Sequence, residues 1–113
     1  MKRTFVQSGI FEKRLRERGG DELLRAIEAA VLDNPEAGDI VQGTGGVRKL
    51  RVADPARGKG KRGGFRVLFL DLPRTARTFL LYFYGKDEAE DLTADNKRAI
   101  AAVVKQIKEN IEG

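Results

Sequence analysis

Cysteine and histidine are both absent from this sequence of 113 residues. Without cysteine there is no disulfide framework, no thiolate zinc site and no cysteine nucleophile. Without histidine, the usual imidazole acid or base and every histidine-ligated metal site are excluded. Any chemistry must therefore use Lys, Arg, Asp, Glu, Tyr, Ser or Thr, and we expect neither a metal nor a cofactor.

Long apolar runs are also missing. The longest, residues 79–84, is far below the roughly 20 residues that span a bilayer. The apolar stretch that follows Lys2 and Arg3 is too short for a signal peptide. With 41% hydrophobic and 35% charged residues, the composition is typical of a soluble globular protein. We expect one cytoplasmic domain over residues 1–113 that does not bind a membrane.

Positive charge is concentrated in the middle of the chain. Residues 48–66 hold eight basic side chains against one acid, Asp54, for a net charge of +7, whereas the whole chain carries +5. The remaining residues therefore sum to −2. A basic segment of this kind is the electrostatic footprint of a polyanion, usually a nucleic acid. The alternative is a solvated charge run, the usual meaning of such segments.

The hydrophobic periodicity predicts an α+β fold with the order β-α-α-β-β-β-α. Asp21 is a candidate cap for the second helix and Thr93 for the third. We expect a small antiparallel sheet, with two N-terminal helices and a C-terminal helix packed mainly on one of its faces. The predicted strands cover residues 3–7, 47–52, 65–72 and 77–84, and the predicted helices cover residues 9–18, 21–33 and a last segment that follows Thr93.

The Gly-Thr-Gly-Gly segment at residues 43–46 could suggest a phosphate-binding loop. It lacks the Walker spacing and precedes a strand rather than a helix. A turn in which glycine permits positive φ is the better interpretation.

Strand alternation places Leu50 and Val52 towards the core and turns Lys49 and Arg51 together to the opposite face. Arg66 interrupts an otherwise apolar strand, so it either reaches the sheet edge or points into a functional concavity. The three cations could meet on neighbouring strands and stabilise negative charge.

Tyr82 and Tyr84 are predicted to share one strand face with Leu80. Aromatic residues at this spacing usually belong to a core, and the functional alternative is a platform on which RNA bases stack. The acidic residues of segment 87–91 favour a solvated turn over a metal site.

Three segments taken together, GTGGVRKLRV, GKGKRGGFRVLFL and LLYFYGKDEAEDLT, resemble the HigB branch of the RelE/ParE toxin superfamily. The resemblance covers almost the whole chain in the right order. It implies a RelE-like fold, a cognate antitoxin protein, and cleavage of mRNA on the 70S ribosome without a metal. The 2′-hydroxyl of the mRNA would attack the adjacent phosphate.

The resemblance also implies site residues. The paired basic residues of the family's first central strand match Lys49 and Arg51, the arginine of the next strand matches Arg66, and a basic residue after the fourth strand corresponds to Lys86. The tyrosine that some members place near the last helix has no equivalent, since Leu92 and Thr93 stand there. Further candidates for RNA binding are Arg48, Lys59, Lys61, Arg62 and Tyr84.

Arginine stays protonated, so Arg51 and Arg66 suit electrostatic clamping, while crowding by like charges could let Lys49 act as a base. Two other functions remain open: a ParE-like toxin that inhibits DNA gyrase without nuclease activity, and a binding module without activity that holds RNA or DNA through the basic loop.

Overall fold

The structure is a computed structural model that describes residues 3–56, 64–86, 88 and 91–112, with side chains up to residue 110. The strands are β1 (Thr4–Gln7), β2 (Asp39–Ile40), β3 (Arg48–Val52), β4 (Phe65–Leu72) and β5 (Arg77–Gly85). The helices are α1 (Gly9–Arg18), α2 (Gly20–Asp33) and α3 (Ala94–Glu112). A short 3₁₀ turn, Pro73–Thr75, joins β4 to β5.

The strands form one sheet in the order β1-β5-β4-β3-β2. The α+β class and the three helices agree with the sequence prediction. The prediction of an antiparallel sheet is wrong at one edge, because β1 pairs with β5 in parallel while the other pairs are antiparallel. The long connection permits parallel pairing, since the chain runs from β1 through α1, α2 and three further strands before β5 lies beside it. Strand β2 was not predicted, because two residues cannot show an alternating pattern.

Helices cover both faces of the sheet, which corrects the prediction that they pack mainly on one. Side chains of α1 and α2, such as Phe11 and Ile27, pack against Val67 and Phe83 on the first face. Val104 of α3 packs against Leu68, Leu70 and Leu81 on the second face. Because β4 is buried on both sides, its sequence is a nearly continuous apolar run rather than an alternating one.

A β-bulge in β5 decides which way its tyrosines point. The register shifts between Leu68, which pairs with Tyr82, and Phe69, which pairs with Leu80. Leu81 is therefore an extra residue, and Leu80 and Tyr82 lie on opposite faces of the sheet. The prediction that Tyr82 and Tyr84 share a face with Leu80 is wrong for this reason.

The segment 43–46 is a turn, as predicted. Gly43, Gly45 and Gly46 all have positive φ, between 78° and 115°. Between them Thr44 is buried, donates from its hydroxyl to the Val41 carbonyl at 2.7 Å, and accepts from the Val47 amide at 3.3 Å. The threonine hydroxyl is thus used within the turn.

Thr93 caps α3 as predicted. Its hydroxyl accepts a hydrogen bond from the Asn96 amide, and the Asn96 side chain accepts one from the Thr93 amide, both at 3.1 Å. Asp21 is not a cap: α2 begins at Gly20, and Asp21 lies in its first turn. Among the described residues, no helix is long and apolar enough to cross a bilayer.

Candidate nucleic-acid site

Three neighbouring strands place Arg51, Arg66 and Tyr84 in one row. Arg51 of β3 is paired with Arg66 of β4, and Arg66 is paired with Tyr84 of β5. Residues directly opposite each other on adjacent strands have Cβ atoms about 5 Å apart and share a face. Lys49 lies two residues from Arg51 and therefore on that face as well. We call Lys49, Arg51 and Arg66 the basic cluster.

The sequence prediction that these three cations meet is confirmed by the strand register. They lie on the second face of the sheet, which carries α3. The apolar core under α3 is formed by Leu68, Leu70 and Leu81 and does not include Arg66 or Tyr84. The cluster therefore occupies a part of this face beyond that core.

Arg66 is a buried cation with one guanidinium nitrogen left unsatisfied by the described residues. The residue is only 9% exposed. Its Nη1 is shielded from solvent and has no hydrogen-bond partner among the described residues. No carboxylate in the described part of the chain forms an ion pair with it. A buried charge without a counter-charge is costly, so the arginine is poised to receive an anion from outside the chain.

Lys49 does have a partner. Its Nζ lies 3.1 Å from the Asp91 carboxylate, which precedes α3. The same carboxylate accepts from the Leu92 amide at 2.8 Å. The Leu92 hydrogen bond, the Lys49 hydrogen bond and the Lys49 charge, in that order, hold the pKa of Asp91 below its usual value. This pair engages Lys49 as an ammonium, so action as a base would first require the pair to open.

Tyr84 lies in the row with its ring buried, at 2% exposure, and its hydroxyl is without a hydrogen-bond partner in the described residues. A buried ring offers no free face, so the alternative in which Tyr84 stacks on RNA bases does not fit the structure. Burial raises the pKa of Tyr84 above 10.0. The charges of Lys49 and Arg66 lower this pKa less strongly, and those of Asp91 and Tyr82 add to the rise.

Other predicted residues lie away from the row. Arg48 donates to the carbonyls of Glu36 at 2.7 Å and Gly38 at 3.2 Å. It precedes Lys49 on β3, so the two side chains point to opposite faces of the sheet. It therefore supports the chain that follows α2. Lys86 is exposed in the turn after β5. Lys59, Lys61 and Arg62 lie outside the described residues.

Glu88 connects the turn after β5 to α1. It accepts from Arg14 at 2.5 and 2.6 Å and from the Gly85 amide at 2.9 Å, and it pairs with Arg18 at 2.9 Å. Its burial favours a higher pKa, but the hydrogen bonds from Arg14 and Gly85 and the charges of the two arginines outweigh that effect and lower the pKa. Glu88 and Asp91 are exposed, as predicted for a solvated acidic turn, although Glu88 is held by these partners, and Asp87 and Glu90 lie outside the described residues.

Arg14 also binds the part of the β5 edge that does not pair with β1. Strand β1 pairs with β5 only as far as Leu80. Beyond that point Ser8 donates to the Leu81 carbonyl at 2.7 Å and Arg14 Nε donates to the Phe83 carbonyl at 2.8 Å. The Arg14 guanidinium lies 4.9 Å from the centre of the Tyr82 ring, close enough for a cation–π interaction. Sequence reasoning did not find Arg14, because its partners are about 70 residues away and no local pattern marks it.

A groove of about 330 Å³ separates α1 from α3. Apart from Ser8 and Asn96, its walls are mainly apolar, and the cations of the basic cluster do not line it. It is therefore unsuited to a phosphate. No group of three or more His, Cys, Asp or Glu residues that could hold a metal ion occurs in the described ranges.

The chain is similar to known proteins in both sequence and fold. The sequence model of one family, described as "RelE toxin of RelE / RelB toxin-antitoxin system", matches residues 2–112. A solved structure of an E. coli toxin RelE mutant with two arginines changed to alanine, in the free state, has a similar fold, with a TM-score of 0.59 at 17% identity. The similarity covers 95% of this chain and 99% of that one. At this identity the likeness establishes the fold.

Proposed function

We propose that this chain, which belongs to the RelE toxin family, is a toxin of the HigB type that cleaves mRNA on the ribosome without a metal. The family pairs such toxins with antitoxins, so a cognate antitoxin protein is its expected partner. Translating ribosomes and their mRNA are its targets in the cytoplasm. The observation that carries the proposal is that Arg66, beside Arg51, is buried and its Nη1 has no hydrogen-bond partner among the described residues.

A phosphodiester is the anion that suits this arrangement. Two guanidinium groups on adjacent strands can hold the two non-bridging oxygens of one phosphate through paired N–H donors. When the 2′-hydroxyl attacks, these oxygens gain negative charge, and donors already fixed on strands stabilise that charge without reorganising. Arg51 is the exposed member of the pair and Arg66 the buried one. The phosphate would therefore enter from the side of Arg51.

We expect Lys49 and Lys86 to add positive charge that contacts the RNA beyond this phosphate. Lys49 can contact the RNA once its ion pair with Asp91 opens. That Lys49 acts as a base stays a prediction. Lys86 is exposed in the turn after β5, and we expect it to contact a neighbouring phosphate. Lys59, Lys61 and Arg62 add the long-range attraction that brings a basic protein to a ribosome.

Dependence on the ribosome follows from what the site lacks. The sequence has no histidine, and its arginines cannot exchange protons near neutral pH. Such a site can stabilise a transition state but does little to position a flexible single strand. A ribosome that presents the mRNA in a fixed geometry supplies that positioning, which can lower a barrier by several kcal/mol.

Expression of the protein alone in bacteria, followed by primer extension on cellular mRNA, tests the proposal. We expect growth arrest together with cuts at codons that appear in translated messages and vanish when initiation is blocked. The same RNA incubated with purified protein but without ribosomes should remain intact. Growth arrest with intact mRNA and DNA-damage signals would instead support gyrase inhibition, and binding without arrest would support an inactive binding module.

A further inference from the structure

The hydroxyl of Tyr84 has no structural task in the described part of the chain. Its oxygen is shielded from solvent and has no hydrogen-bond partner there, as is true of Nη1 of Arg66. A buried hydroxyl that makes no hydrogen bond destabilises the fold relative to a plain phenyl ring. Two such groups on adjacent strands point to a substrate that satisfies both.

The strand register puts this hydroxyl beside the position proposed for the phosphate. Tyr84 is the direct cross-strand partner of Arg66, and Arg66 is the partner of Arg51. The three side chains stand in one row on one face, with the tyrosine at the end opposite to Arg51. A phosphate held between the two arginines therefore has Tyr84 on its inner side.

Tyr84 is also a proton donor at neutral pH. Burial raises its pKa, and the groups that act on it are Lys49, Asp91, Arg66 and Tyr82. Because burial outweighs the two cations, the phenol stays protonated. Arg51 and Arg66 do not release protons, and Lys49 is engaged by Asp91. Within the row of Arg51, Arg66 and Tyr84, the phenol is therefore the uncharged group that can donate a proton.

We propose that the Tyr84 hydroxyl is the general acid of the cleavage step, a role that rests on the proposed function. The 2′ oxygen forms a bond to phosphorus as its proton passes to a water molecule. The bond between phosphorus and the 5′ oxygen breaks, and that oxygen takes the proton of the Tyr84 hydroxyl. The products are a 2′,3′-cyclic phosphate and a 5′-hydroxyl, and the tyrosinate regains a proton from water.

The phosphate can reach this hydroxyl when the pair of Lys49 and Asp91 opens. Lys49 pairs with Leu68, which pairs with Tyr82, so the ion pair lies one cross-strand row from Tyr84 on the same face. The Asp91 side chain is 65% exposed and that of Lys49 27%. An ion pair this exposed contributes little to stability, and an RNA phosphate can replace the carboxylate on Lys49.

The test is single-turnover cleavage on programmed ribosomes with two mRNAs that differ in one atom. One has the natural 5′ oxygen at the cut, and the other has sulfur in its place. A thiolate leaves without a proton because its conjugate acid is far stronger than an alcohol. We expect Tyr84→Phe to cut the oxygen substrate on the order of 100-fold more slowly and the sulfur substrate at nearly the wild-type rate.

Tyr82→Phe is the matched control, since it removes a hydroxyl from the neighbouring ring on the same strand face, 6.1 Å from the Tyr84 ring, and leaves Arg51, Arg66 and Tyr84 intact. We expect it to cut both substrates at the wild-type rate. A thermal melt of Tyr84→Phe should show no loss of stability, because the deleted hydroxyl has no partner in the described structure.

Equal slowing on both substrates would show that Tyr84 only positions the RNA, and wild-type cleavage of the oxygen substrate by Tyr84→Phe would remove it from the reaction. Either result overturns the assignment while the proposed function stands. If the wild-type protein cuts neither mRNA, the proposed function fails, and the role of Tyr84 fails with it.

Discussion

Lys49 on β3 and Asp91 before α3 form an ion pair at 3.1 Å that sets a negative charge beside the basic cluster. The two residues are 42 positions apart in the sequence. On the proposed function, Asp91 competes with an RNA phosphate for Lys49, and we expect the pair to lower the affinity of the free protein for RNA. The pair also ties the segment before α3 to β3, an inner strand that carries two residues of the cluster.

Asp91→Asn should therefore bind RNA more tightly, by about two- to fivefold, the range expected when one exposed ion pair is removed. Fluorescence anisotropy with a short single-stranded RNA at fixed salt measures the change. Asp95→Asn is the matched control, because Asp95 is also exposed but pairs with Arg98 in the first turn of α3. Equal changes in the two variants would show a general charge effect and no specific competition for Lys49.

Arg66→Met should reduce the rate of cleavage on programmed ribosomes on the order of 100-fold, because it removes a fixed cation from the transition state. The melting temperature should stay the same or rise, because replacing Arg66 disrupts no ion pair among the described residues and removes a buried charge. Arg66→Lys should recover only part of the rate, because lysine keeps the charge and loses the paired donors.

Arg77→Met is the control for Arg66, as it removes one positive charge from an exposed position at the start of β5. We expect cleavage at close to the wild-type rate. A folded Arg66→Met protein that cuts as fast as wild type would remove Arg66 from the site and leave Lys49 and Arg51 without their proposed partner.

Glu88→Gln should lower the free energy of unfolding by about 1–2 kcal/mol at pH 7, since it weakens hydrogen bonds and ion pairs to Arg14 and Arg18. The pKa of Glu88 is lowered from 4.5 by folding, so its stabilising effect is complete well above that pH. As the pH falls below 4.5, the unfolded chain takes up the proton first, and the advantage of the wild type shrinks.

Urea unfolding of both proteins between pH 7 and pH 3 checks this pH dependence. Glu17→Gln on α1 is the control, because Glu17 is exposed. A difference between wild type and Glu88→Gln that stays constant down to pH 3 would contradict the proposed ionic contribution.

Neutralising the loop with Lys59→Gln, Lys61→Gln and Arg62→Gln should weaken RNA binding and flatten its dependence on salt. Each lost phosphate contact changes the slope of log K against log salt by about 0.7 on a single strand. Lys13→Gln, Arg16→Gln and Arg25→Gln together make the same change of charge on the exposed sides of α1 and α2. If both triple variants flatten the slope equally, the loop has no special part in binding.

Local patterns predicted most of the elements because each is determined by its own periodicity. The apolar spacing along α3 and the β-rich runs of β4 and β5 were sufficient to place them to within a residue or two. The turn at residues 43–46 was also correct, since its glycines are the residues that adopt positive φ without strain. Two-residue β2 has no period, and the bulge at Leu81 interrupts one, so neither could be found this way.

Within the site, alternation along β3 alone places Lys49 and Arg51 on one face, because successive side chains of a strand point to opposite sides. That Arg66 lies opposite Arg51 depends on the register of β3 and β4, which the pairing of whole strands decides. The burial of Arg66 and Tyr84 depends on the packing of both faces of the sheet. Asp91 reaches Lys49, and Glu88 reaches Arg14, only because the folded chain brings distant segments together, and no local pattern encodes such contacts.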